Sequence, residues 1–202
     1  MPLKTDSSDK APPPERIIAA GRRLFFRDGF EKVSTDRLAR EAAVSKATLY
    51  KYFGDMAGVL RAVVETESIT FAKGVPTNPT SLKELRTCLT HYGTNLLTFL
   101  NDPEIIQFAQ VMMEEARAHP DIAHDFYSVS YQRSHNVITG MFGLGLKGGF
   151  FRSALTAEEL AEQLIGMWEG LRFTRAQLNL TEIPFEDPAD WSRKCVDTML
   201  RL

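Results

Sequence analysis

Apolar residues recur along this chain at steps of three and four. Ile17, Ala20, Leu24 and Phe25 form one such stripe, and Leu160, Leu164, Met167, Trp168 and Leu171 form another. This spacing marks helices with one buried face. No run alternates apolar with polar residues between Asn-Gly turns, so strands are not expected. Prolines punctuate the pattern, and proline is tolerated in a helix's first turn but excluded from its interior. The first helix is expected from Glu15 to a Gly29 cap. A short one follows Ser34 or Thr35, then a tight turn at Ala43-Val44, then a helix over 46–53 capped by Ser45. Asp55 opens a helix to about Ala72. Ser81 and Glu84 have capping-box spacing and open one to about Asn101. Asp102-Pro103 begins one ending near His119, and Pro120 begins one running to about Leu146. Thr156 and Glu159 form a second capping box, opening a helix to about Leu178. Asp187-Pro188 opens the last. The prediction is an all-α chain of about nine helices, with a polar, disordered tail over residues 1–14.

Charge changes the picture more than composition does. The net charge of the 202 residues is −2. Residues 1–55 hold eleven Lys/Arg against eight Asp/Glu, and residues 56–202 hold thirteen against eighteen. A basic first quarter on an acidic body suggests that one end meets an anion. Two cysteines, Cys88 and Cys195, are too few for a disulfide framework and lack metal-ligand spacing. The longest stretch free of charged residues, Thr87 to Asn101, is too short and polar to cross a bilayer. Residues 1–14 contain no signal-peptide apolar run. A cytoplasmic protein with no membrane partner is expected.

The helices around Ala43-Val44 form a helix-turn-helix by spacing. In that motif the N-terminal residues of the second helix face base edges in the major groove of double-stranded DNA. Leu49 and Phe53 share a face and are expected to pack inward. Lys46 can donate to guanine, and Thr48 can donate to a base or touch a thymine methyl. Tyr50 and Tyr52 carry hydroxyls suited to phosphate. Thr35 places a hydroxyl beside helix N-terminal amides, a good phosphate position. Ser45 and Lys51 complete the candidate DNA-binding set.

Residues 16–60 resemble the DNA-binding domain of the TetR family of bacterial transcriptional regulators. The likeness rests on Ile17 through Gly29-Phe30, on Ser34-Thr35-Asp36-Arg37-Leu38-Ala39, on Val44-Ser45-Lys46-Ala47-Thr48-Leu49-Tyr50-Lys51-Tyr52-Phe53, and on Val59-Leu60. It implies base contacts at Lys46 and Thr48 and phosphate contacts at Thr35, Tyr50 and Tyr52. Two positions depart from the family pattern. Ala43 stands where the family usually has glycine in the turn. Met56 stands where it usually has a phosphate-binding lysine, with Lys51, Lys4 and Lys10 as possible replacements.

The later chain resembles the AefR-like branch of that family's C-terminal domains. The supporting stretches are Met113 through Ala123, Phe126-Tyr127, Gly149-Phe150-Phe151-Arg152 and Ala161 through Gly166. The resemblance implies a homodimer whose last two helices pair across a two-fold axis. It thus implies a reading head over 15–56 and a ligand-binding and dimerisation domain over 57–202. Leu160, Leu164, Met167, Leu171, Val196, Met199 and Leu200 are the candidate interface. A small apolar or aromatic effector would lie among Tyr92, Phe99, Phe108, Met112, Phe126, Tyr127, Tyr131 and Trp168, the aromatic and methionine positions at helical spacing. No catalytic constellation is visible, and no enzyme activity, cofactor or metal is expected. Gly143-Leu-Gly145-Leu-Lys-Gly148 matches a dinucleotide-binding pattern but lacks the strand that gives the pattern meaning. The chain is therefore expected to be a ligand-released repressor on a palindromic operator. The alternative is a regulator or adaptor of the same fold that has lost specific DNA binding.

Overall fold

The computed structural model describes residues 11–117 and 119–201. The expected tail lies outside the described residues from 1 to 10, Lys4 and Lys10 included. The elements are α1 (Pro13–Asp28), α2 (Thr35–Glu41), α3 (Lys46–Phe53), α4 (Met56–Ala72), α5 (Leu82–Phe99), α6 (Pro103–Glu115), α7 (Pro120–Val129), α8 (Tyr131–Lys147), α9 (Ala157–Gln177) and α10 (Pro188–Met199). No strand occurs among the described residues. The first helix starts at Pro13, two residues before the expected start, because proline fits the opening turn.

Side-chain caps set most helix starts. Ser34, Ser45, Asp55 and Asp102 each accept a backbone N–H from the first turn of the helix they precede. Thr156 and Glu159 form the expected reciprocal box. The box expected at Ser81 forms only by half. Ser81 accepts from the Glu84 backbone, but the Glu84 carboxylate turns to the backbone N–H and hydroxyl of Thr80, at 2.8 and 2.7 Å.

Two helices depart from the expected pattern. The one expected from Pro120 to Leu146 breaks at Ser130 (φ −110°, ψ −83°), giving α7 and α8. The Ser130 hydroxyl accepts no capping bond and instead donates to the Phe126 carbonyl. The second departure is inside α9, where Gly170 takes φ 41° and ψ −150° and kinks the helix. The carbonyls just ahead of the kink face α10. Trp168 O accepts the Trp191 indole N–H at 3.0 Å, and Met167 O accepts the Cys195 thiol at 3.6 Å.

The core runs unbroken from α1 to α10. α1 lies on α4 at Gly21, where an added Cβ would sit 3.1 Å from both Val59 and Val63. α10 lies along α5. They pack tightly at Gly93, where a Cβ would fall inside van der Waals contact of Ser192 Oγ and of the buried Trp168 ring from α9. Ser192 is itself buried and donates to Thr90 O at 2.9 Å. The helix-turn-helix region is tied to the body through α1 and the loop after it. Phe26 stacks on Phe108 of α6 with centroids 4.2 Å apart. Such a pair contributes about 0.5–1.5 kcal/mol beyond its area. Arg22 bridges Glu67 of α4 at 2.9 Å and Glu104 of α6 at 2.6 Å. His119 contacts Glu31.

Candidate nucleic-acid interface and internal cavity

The turn between α2 and α3 has a definite hydrogen-bonded form. Ala43 N–H donates to Arg40 O at 3.1 Å, and Val44 N–H donates to Ala39 O at 2.9 Å. These two bonds make a Schellman motif, whose left-handed residue is usually glycine. Ala43 occupies that place with φ 51°. Here a Cβ crowds the following carbonyl, so the turn forms under local strain.

Leu49 is fully buried beneath α3 and Phe53 is half-buried, as their spacing predicts. Ser45, Lys46, Tyr50, Lys51 and Tyr52 are exposed, and Thr48 is half-buried. The Ser45 and Thr48 hydroxyls lie 2.8 Å apart. Lys51 Nζ sits 5.7 Å from the centroid of the Tyr52 ring. Lys46 Nζ is 2.7 Å from Asp36, which joins the start of α3 to the start of α2 beside Thr35. That hydrogen bond holds the lysine's pKa above its ordinary value. The ammonium must exchange Asp36 for any base acceptor it meets. Met56 is half-buried against the core, so it offers no charge to a phosphate.

A cavity of about 170 Å³ lies inside the helical body. Five expected ligand residues line it: Phe99, Phe108, Phe126, Tyr127 and Tyr131. Tyr92, Met112 and Trp168 do not. They are buried in the surrounding core, where Tyr92 stacks on Trp168 with centroids 6.5 Å apart. Several lining residues were not expected. Phe26 comes from α1, and Val64, Glu67, Ser68 and Phe71 from α4. Ser134 and His135 come from α8, and Glu162, Ile165, Glu169 and Phe173 from α9. The α9 set recurs at steps of three and four, so its periodicity was visible. Its carboxylates disguised it as a solvated face. Burial pushes the Glu169 carboxyl up to about 7 and raises the Tyr131 phenol as well. A raised pKa is the mark of an acid whose charge is poorly solvated.

The expected interface set divides. Leu160, Leu164, Val196 and Met199 are at most 1% exposed within the single chain. They belong to its own core and are closed to a partner. Met167 and Leu200 are half-buried, and Leu171 is 70% exposed. Leu178, Leu180 and Ile183 are also exposed and were not expected. The glycine-rich pattern closes α8, with Gly145 packed against Leu85 and Phe151. Among the described residues no group of three His, Cys, Asp or Glu is arranged to hold a metal ion. No helix there is long and apolar enough to cross a membrane.

Residues 17–63 match the family described as bacterial regulatory proteins, tetR family. Residues 87–202 match the AefR-like transcriptional repressor, C-terminal domain. The chain belongs to the TetR family of transcriptional regulators. Among curated relatives, the uncharacterized HTH-type transcriptional regulator YdeS of Bacillus subtilis is 25% identical over 150 residues, spanning 74% of this chain and 73% of that one. A TetR regulator from Agrobacterium tumefaciens superposes with a TM-score of 0.75 at 24% identity, covering 95% of this chain and 94% of that one. FadR from Bacillus subtilis, solved with stearoyl-CoA, superposes at 0.69 with 15% identity, covering 92% and 97%. Likenesses this distant establish the TetR fold and leave effector chemistry to the cavity itself.

Proposed function

We propose that this regulator is a repressor that binds a palindromic operator as a homodimer and is released by a small apolar or aromatic effector held in the cavity. One observation carries the reading. The cavity wall includes Phe26, on the helix that packs against α2 and α3. An occupant touches the reading head's own scaffold, so it binds the head's alternative positions with different affinity, the condition for a ligand to shift a conformational balance. In this reading Lys46 and Thr48 contact bases, and Thr35, Ser45, Tyr50, Lys51 and Tyr52 hold the backbone. Exposed Leu171, with Leu178, Leu180 and Ile183, is the surface that supports pairing of two copies. An acyl-CoA effector, as FadR carries, fits poorly because no lysine or arginine lines this cavity to meet phosphates.

Selection of bound duplexes from a random DNA library by the purified protein tests this. Recovery of one palindromic site, with Lys46→Ala and Tyr50→Phe weakening binding while the fold is kept, supports the assignment. Unchanged affinity in both variants overturns it. A folded protein that enriches no site favours the second reading, a same-fold regulator without specific DNA binding. The strained Ala43 turn and the apolar Met56 are the observations behind that alternative.

A further inference from the structure

The cavity has a polar end, and its chemistry narrows what can enter. Glu169 is half-buried on the cavity wall, and its carboxylate makes no hydrogen bond or ion pair among the described residues. Tyr131 lines the same cavity, and the Glu169 charge reaches its phenol. Tyr131 is itself one of a cluster of rings. Phe126 meets it edge-on at 6.0 Å, and Tyr127 stacks on it at 6.0 Å. Aromatic faces beside a carboxylate attract a cation through both ring quadrupole and charge. The other titratable groups facing the cavity do not compete. Glu67 is held by Arg22 at 2.9 Å. Glu162 lies 3.8 Å from His135, whose Nε2 donates to the Glu158 carbonyl at 3.2 Å. α1, α5 and α6 present only apolar side chains. The volume, about 170 Å³, is close to that of engineered apolar cavities that accept a benzene ring.

Resting on the reading of this cavity as the effector site, we propose that the effector is a ring-bearing organic amine. Its ammonium pairs with Glu169 while its apolar body lies against Phe99, Phe108 and Phe126. A carboxylate of the same shape is excluded, because it would set two anions together with no cation to separate them. Binding needs Glu169 ionised. Since burial holds that carboxyl at about 7, pairing expels its proton when the site is filled near neutrality.

The test uses three probes of one shape: benzylamine, benzyl alcohol and benzoate. Each is titrated calorimetrically into the full chain at pH 8 and pH 6. The amine is expected to bind roughly ten- to a hundredfold more tightly than the alcohol at pH 8, the range for a charged hydrogen bond. The benzoate is expected to bind weakest. Amine affinity falls about tenfold from pH 8 to pH 6, as the carboxyl centred near 7 takes its proton. Glu169→Gln removes both the preference and the pH dependence. His135→Asn keeps both, which separates the carboxyl from the imidazole. If the alcohol or benzoate binds as tightly as the amine, or amine affinity rises at pH 6, the amine assignment is wrong while the cavity reading stands. If no probe binds to the folded chain, both fail.

Discussion

Replacing Ala43 with glycine isolates the strain in the helix-turn-helix. Ala43 is exposed, so deleting its methyl group removes no packing. Its φ of 51° is the one quantity at issue. A non-glycine residue in the left-handed region costs about 1–2 kcal/mol. Glycine relieves that cost but loses more freedom on folding, which takes back about 0.4–1 kcal/mol. The net expectation is that Ala43→Gly stabilises the protein by about 0.5–1 kcal/mol. For a chain of this length that raises the unfolding midpoint by roughly 1–4 °C. Ala43→Val goes the other way, because a β-branched side chain tolerates this region less well. The assay is thermal and urea unfolding of the three proteins at one fixed protomer concentration, since association shifts apparent stability. A glycine variant that melts at or below the wild-type midpoint, with an unchanged urea slope, would refute the claim that the turn is strained.

Gly93→Ala drives a methyl into the Trp168 ring and Ser192, both fixed in the core. It is expected to lower stability by about 3 kcal/mol in urea titration. Trp191→Phe leaves the Trp168 carbonyl without its 3.0 Å donor and should cost about 1–2 kcal/mol by the same measurement. Glu169 gives a pH dependence. Its folded pKa, about 7, lies above the unfolded value of about 4.5. The folded state therefore holds a proton that the unfolded chain has released, and stability falls as pH rises through that window. Above about pH 7 the slope vanishes. Glu169→Gln should flatten the window when urea midpoints are followed from pH 4.5 to 8, and an equal slope in both proteins would remove the buried acid as its source.

The parts legible in sequence were those set by local chemistry. Ser34, Ser45, Asp55 and Thr156 cap their helices because their side chains satisfy amides three residues on. The turn at Ala43-Val44 was visible for the same reason, although not its alanine-bearing Schellman form. The break at Ser130 has no local signature, since neither proline nor glycine marks it. The expected interface stripe on α9 divides at Gly170. Leu160, Leu164 and Trp168 share a face with Leu171 in a straight helix. The kink at Gly170 turns the following segment, so Phe173 and Ala176 are buried and Leu171 is 70% exposed. Glu169 escaped notice because a carboxylate is ordinarily a surface group. Only the packing of seven helices around one hollow shows that it faces inward.

The kink at Gly170 also has an optical consequence. The chain's two tryptophans meet beside it, Trp168 two residues before the break and Trp191 reaching across from α10 to the Trp168 carbonyl. The Arg172 guanidinium, just past the break, lies 4.3 Å above the Trp191 ring. Straightening α9 would return that carbonyl to its own helix and leave one indole N–H to solvent, with the overlying charge displaced. Intrinsic tryptophan emission is thus a gauge of this joint, readable without a label and confined to two indoles beside a single bend.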